Sequence, residues 1–274
     1  MGSAAKTKKL SNKPKPSLAP KQPKTKTKLK KHKNNNIKNK TPNNDNNKTK
    51  VQPASASEQL TFFLNQFESA NGVQLSSLEL ESMQESCIVR MSNNLDQDAE
   101  TLGKHMKEAF GTQWKKELCE GQVVEGKLDP GSPAVLIIST SALRSIELLR
   151  GLRSMTKECH AVKLFSKHMK VEEQVSMLKN RVNFASGTPS RIKKLIDIEA
   201  LGLSRLEVIV LDMQLDVKGY SLFTLPQVRE EFWDLYKNYF HQRLLQGDLR
   251  ICLYGPIPED NKLKGERTTI NSEE

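Results

Sequence analysis

The chain has no long hydrophobic run. Its longest apolar stretches, such as 134–138 and 208–211, are only of strand length. Neither a secretory leader nor a membrane span is therefore expected. Gly2 follows Met1, but Lys6 stands where a myristoylation signal needs Ser or Thr, which argues against an N-terminal lipid. Cysteine is scarce: Cys87, Cys119, Cys159 and Cys252 stand far apart with no paired zinc spacing, so four reduced thiols are expected. The histidines His32, His105, His160, His168 and His241 show no metal-ligand spacing with acids or thiols. No Gly-x-x-x-x-Gly-Lys-Ser/Thr run occurs. The pairs Gly103-Lys104 and Gly126-Lys127 lack both the earlier glycine and the following hydroxyl, so no phosphate cradle is legible. Neither Ser139 nor Cys159 sits in a glycine-framed elbow, which removes the usual signature of nucleophilic hydrolysis. No cofactor, metal, membrane contact or small-molecule substrate is expected.

The first fifty residues lack other things. They contain no arginine, one acid (Asp45), and isolated large apolar residues at Leu10, Leu18, Leu29 and Ile37. Sixteen lysines against that single acid make the segment +15, so of the whole chain's +11 the remainder carries −4. The basic character is thus confined to one end. Such a Lys-, Asn- and Pro-rich segment cannot bury enough surface to offset a backbone entropy of about 1–2 kcal/mol per residue. Residues 1–55 therefore read as a disordered basic tail. Its lysines would bind polyanions through counterion release, strongly at low salt. The densest cluster, Lys28, Lys30, Lys31 and Lys33, also reads as a nuclear or nucleolar address. The plainer alternative is a solvated, solubilising tail.

Past the tail the pattern changes. Leu60, Phe63, Leu64 and Phe67 form one helical stripe that Gly72 can end. A second helix is expected over 101–110, and residues 56–130 read as a helical extension packed on the body. Its aromatic residues sit at helical spacing and are expected in the core. Asp129-Pro130-Gly131-Ser132-Pro133 is a break. Beyond it, strands at 134–139, 161–165, 182–185, 208–211 and 250–254 alternate with helices that begin near Ala142, His168, Pro189 and Pro226. The last helix is expected to run to Gly247. This alternation argues for an α/β fold with one parallel sheet flanked by helices over 131–258. Residues 259–274 are polar and expected to be loose.

One stretch carries a family resemblance. Gly187-Thr188-Pro189-Ser190-Arg191 resembles the Gly-Thr-Pro-Gly-Arg segment with which DEAD-box RNA helicases touch the RNA backbone. Val208-Ile209-Val210-Leu211-Asp212-Met213-Gln214 resembles their Val-Leu-Asp-Glu-Ala-Asp segment, at the fitting distance. Thr140-Ser141 with Arg144 resembles a degraded Pro-Thr-Arg-Glu-Leu, its arginine displaced. The fuller match, tail included, is to the helicase-like Cms-type small ribosomal subunit proteins associated with early small-subunit precursors. The resemblance covers about 131–256 and implies a single RecA-like lobe.

Three polar segments are then expected at the carboxyl ends of parallel strands, where ligands of open α/β sheets gather. Thr140, Ser141 and Arg144, with Thr188, Pro189 and Arg191, would grip an RNA strand by its phosphates, because a helix start offers N–H groups, a hydroxyl and a cation. Alternatively the hydroxyls are helix caps and the arginines solvated. Catalysis is not expected. Met213 replaces the family glutamate and cannot accept a proton, Leu253-Tyr254-Gly255 replaces Ser-Ala-Thr, and no second lobe follows Pro256. Asp212 and Asp216 read as a helix-cap or loop acid and a solvated charge. The expected function is a non-catalytic RNA-binding or assembly factor in early small-subunit production, in the nucleus and nucleolus, with RNA and pre-ribosomal proteins as partners. The alternatives are a divergent ATP-dependent RNA remodeller and a protein scaffold whose tail alone meets RNA.

Overall fold

The computed structural model describes residues 53–120, 129–156 and 159–258. The expectations for the basic tail up to residue 52, for Lys28, Lys30, Lys31 and Lys33, and for 259–274 lie outside the described residues. Five strands form one sheet: β1 (Val135–Ile138), β2 (Ala161–Leu164), β3 (Phe184–Gly187), β4 (Val208–Asp212) and β5 (Arg250–Tyr254). Their order is β2-β3-β1-β4-β5 and every pairing is parallel. The central strands β1, β3 and β4 are buried at every position, as continuous apolar runs covered on both faces should be. Around them lie α1 (Ala56–Asn71), α2 (Ser77–Ser82), α3 (Leu102–Phe110), α4 (Ala142–Gly151), α5 (Val171–Leu178), α6 (Pro189–Asp197), α7 (Pro226–Leu235) and α8 (His241–Leu245).

Side chains alternate across a strand, so the sheet makes two cores. Leu136, Ile138, Ala185, Ile209, Leu211, Ile251 and Leu253 face one cluster with residues of α1, α5, α6, α7 and α8. Val135, Ile137, Phe184, Val208, Val210, Cys252 and Tyr254 face the other, with residues of α3 and α4. The aromatic residues of the extension are core, as their spacing implies. Phe63 stacks edge-on to Tyr236 at 5.2 Å, and Phe67 meets Trp233 at 5.6 Å. Helix α1 starts at a capping box in which Ser55 and Glu58 satisfy each other's backbone, and ends at Gly72 in the left-handed conformation. The segment after α2 reaches the far edge of the sheet, where Ile88 bridges Ile251 in parallel and Val89 N–H donates to Ile251 O at 2.8 Å.

Several boundaries shift. β3 begins at Phe184, two residues later than expected, although the Asn183 backbone is already bonded on both sides, donating to His160 O and accepting from Ala134 N–H. The Asn183 side chain donates to Leu118 O and Cys119 O at 2.9 and 3.0 Å, and its amide oxygen accepts from His160 N–H. α5 begins at Val171 because His168 sits at φ 59°, outside the helical region. The helix expected over 226–247 runs without a gap from Pro226 to Leu245, with a π turn, Tyr236–Phe240, between α7 and α8. The expectation of four reduced thiols is also corrected: Cys119 and Cys159 are bonded, with Cα atoms 5.2 Å apart, and Cys87 and Cys252 are free. The sequence separation of 40 hides that pairing from any spacing rule.

Candidate nucleic-acid interface

The three polar segments meet at one end of the sheet because β3, β1 and β4 are neighbours in register. Ile138 lies between Gly187 and Leu211, and Ser139 N–H donates to Gly187 O at 3.0 Å. Thr140 and Ser141 leave β1, Thr188 and Pro189 leave β3, and Asp212 to Gln214 leave β4. Gly187 is required there: a Cβ would lie 2.0 Å from Leu164 O on the adjoining strand.

Ser141 is the N-cap of α4, accepting from Arg144 N–H at 3.2 Å. Ser139 is fully buried beneath it and shares a 2.8 Å contact with Ser145 Oγ. Thr188 holds the N-cap position of α6, with Pro189 at the first turn, but its hydroxyl makes no capping bond. Thr140 and Thr188 are both half-buried, and Ser141 is exposed.

The two arginines are neither solvated nor free. Arg144 Nε and Nη2 donate to the two oxygens of Asp212 at 2.9 and 3.0 Å, and Nη1 reaches Glu147 at 3.3 Å. Arg191 Nη1 donates to Gln174 Oε1 at 2.6 Å and to Met169 O at 3.2 Å. Gln174 in turn donates to Lys163 O and Phe165 O, both at 3.0 Å, so Arg191 closes a chain that pins α5 against the edge strand β2. The reading of Asp212 as a cap or loop acid is corrected. It is fully buried and is the counter-ion of Arg144. Burial lifts its carboxyl above the ordinary range against the pull of Arg144. For Arg144, burial works against the charge, and Asp212 outweighs it, so the guanidinium is held more firmly protonated than usual. Asp216 is not simply solvated either; its Oδ1 accepts from Lys218 and Tyr220 N–H and shapes the loop after β4.

A further arrangement, absent from the expected site, lies beyond β5. The loop entering α3 presents the N–H groups of Glu100 and Thr101, the kind of donors that elsewhere hold phosphate. Both donate to Asp98 Oδ1 at 2.9 Å. Burial works against the Asp98 charge, but these bonds and that of the Thr101 hydroxyl outweigh it, so its carboxyl stays below the ordinary range. Tyr254, fully buried at the end of β5, donates to Asp98 O at 2.6 Å and lies 3.2 Å from Thr101 Oγ1. His105 stands edge-on to the Tyr254 ring at 5.6 Å. Asp98 three residues ahead of Thr101 is the signal that could have exposed this turn. The Arg144–Asp212 pair, 68 residues apart, left none.

Protein CMSS1 of Xenopus laevis is 30% identical over 195 residues, which is 70% of this chain and 65% of that protein. Protein CMS1 of Chaetomium thermophilum is 37% identical over 146 residues, 52% of this chain and 55% of that protein. The chain thus matches less than two thirds of the length of these curated relatives. Among solved structures, the yeast DEAD-box splicing factor Prp28 aligns with 50% of this chain and 30% of its own, at 16% identity and a TM-score of 0.36. The family described as CMS1, a U3-containing 90S pre-ribosomal complex subunit, matches residues 3–254, and the chain belongs to that family.

Proposed function

We propose that this protein is a non-catalytic RNA-binding assembly factor in early small-subunit ribosome production, acting in the nucleolus among pre-ribosomal proteins. Family membership supports the ribosomal setting. The observation that carries the non-catalytic reading is the occupancy of both places where a nucleotide would need free groups. Asp98 takes the N–H donors ahead of α3, and Arg144 takes both oxygens of Asp212. Phosphoryl transfer needs open donors for the phosphates and a carboxylate free to position metal or water. What stays open at the strand ends is Thr140, Ser141 and Thr188, a rim of hydroxyls suited to backbone contacts without base reading.

Equilibrium binding of magnesium-ATP to the full chain tests this. No saturable binding is expected. Saturable binding that Asp212→Ala abolishes would overturn the reading in favour of an ATP-dependent remodeller. The engagement of Arg144 and Arg191 with protein partners favours one second reading, a scaffold whose tail alone meets RNA. Replacing Lys28, Lys30, Lys31 and Lys33 with Gln in the full chain separates the two. Residual low-salt RNA affinity that falls further on Thr188→Ala supports the strand-end site; its absence supports the scaffold.

A further inference from the structure

A second place on the body has the chemistry of a polyanion site. Between α4 and the edge strand β2 runs a groove of about 460 Å³, floored by Ile146, Leu149, Cys159 and Ala161. Among the described residues its charged lining is all of one sign: Arg150 and Arg153 from the end of α4, Lys163 from β2, with His160 between them. All four are exposed. None of their side chains has an ion-pair or hydrogen-bond partner among the described residues.

Several cations elsewhere on the body are matched. Arg90 pairs with Glu85, Lys193 with Asp197, and Arg144 with Asp212. Residues 51 onward carry a net −4 of the chain's +11, so a cluster with no acid among its described residues is not a consequence of composition. A cation at a helix C-terminus is favoured by the helix dipole, which accounts for Arg150. It does not account for Lys163, on the strand across the groove, or His160, just ahead of that strand.

We propose that this groove holds the sugar-phosphate backbone of an RNA strand. The inference rests on the reading of the protein as RNA-binding and adds a second contact surface to it. Two guanidiniums and an ammonium around an open channel fit successive phosphates, and the apolar floor admits the sugars. An added peptide strand is disfavoured by the edge itself. The carbonyls of Lys163 and Phe165 that face away from β3 are already taken by Gln174. The groove therefore recognises charge.

The test uses the full chain and an oligouridylate, titrated by fluorescence anisotropy across a salt series. Arg150→Gln with Arg153→Gln should lower the slope of log affinity against log salt by about 1.4, since each lost phosphate contact on a single strand removes about 0.7. Arg229→Gln with Lys237→Gln, exposed on α7 and the π turn, removes the same charge elsewhere and should leave the slope unchanged. An unchanged slope in the groove variant, or an equal fall in the control, overturns the proposal. So does a groove that proves to bind polyglutamate in preference to the oligouridylate. If the groove variant binds like wild type while Thr188→Ala weakens binding, only the groove is lost. A chain that binds no oligouridylate at all ends both readings.

Discussion

Arg144 closes on Asp212 with two parallel hydrogen bonds, Nε to Oδ2 at 2.9 Å and Nη2 to Oδ1 at 3.0 Å, tying the first turn of α4 to the end of β4. The carboxylate is fully buried, whereas the Arg144 side chain keeps 17% of its surface and a second acid in Glu147. The two halves of the pair are therefore unequal. Arg144→Ala strands a buried charge and is expected to cost about 3–5 kcal/mol at neutral pH. Asp212→Asn leaves a guanidinium that can turn to Glu147 and water, and should cost only about 1–2 kcal/mol. The Arg144→Ala penalty is also pH-dependent. Without its partner the Asp212 carboxyl rises further, and a raised carboxyl stabilises the fold at low pH and loses that stabilisation as pH rises through its folded value. Relative to wild type, the variant should be least impaired in mild acid. Urea unfolding of both variants at two pH values checks the order and the trend.

Thr188 separates binding from folding. Its hydroxyl makes no cap bond, so Thr188→Ala should change stability by under about 0.5 kcal/mol. A hydroxyl donated to a phosphate contributes about 1.5–3 kcal/mol, so RNA affinity should fall by about tenfold or more. Arg191→Ala behaves differently. It breaks bonds to Gln174 and Met169 O and should lower the melting temperature as well as any affinity. Calorimetry beside an RNA titration distinguishes the two, and unchanged affinity in Thr188→Ala removes that residue from the interface.

The parallel sheet was legible because β1 and residues 208–211 of β4 are unbroken apolar runs and Gly187 and Gly202 punctuate the chain between them. The clustering of Thr140, Thr188 and Asp212 followed from strand order alone. What each side chain does there did not follow, because the deciding partners lie far off in the chain. Arg144 faces Asp212 across 68 residues, and Arg191 reaches Gln174 across 17. The resemblance pointed to phosphate-gripping arginines; packing gave both of them protein partners instead. Asn183 shows the same limit: its side-chain partners, His160 N–H, Leu118 O and Cys119 O, lie 23 to 65 residues away.

Tyr254 and Asp98 give a direct measure of how firmly the turn before α3 is closed. Tyr254→Phe removes the donation to Asp98 O and should cost about 1 kcal/mol. Asp98→Ala frees two N–H groups at the start of α3 and should cost about 0.5–2 kcal/mol, as loss of a helix cap does. Because the bonds share one turn, the double change should fall short of the sum. A double-mutant cycle by urea unfolding reads this; strict additivity would mean the two act independently.

The acid limb of stability should report on α2. Glu79 accepts from Ser76 N–H and Oγ at 2.8 and 2.6 Å, and its other oxygen meets His241 Nε2 at 3.2 Å. The Ser76 bonds, with help from His241, bring its carboxyl from an ordinary 4.5 down to about 2. A depressed carboxyl stabilises the fold above its unfolded value and loses that contribution as pH falls through the folded one. Stability should therefore hold above pH 4.5 and decline between there and about pH 2, and Glu79→Gln should flatten that part of the decline. The variant should also loosen α2 from His241, whose ring stacks on Phe67 at 5.2 Å. Thermal melts of wild type and Glu79→Gln from pH 6 to pH 2 check this, and identical acid limbs would show that the Glu79 bonds contribute nothing to the folded state.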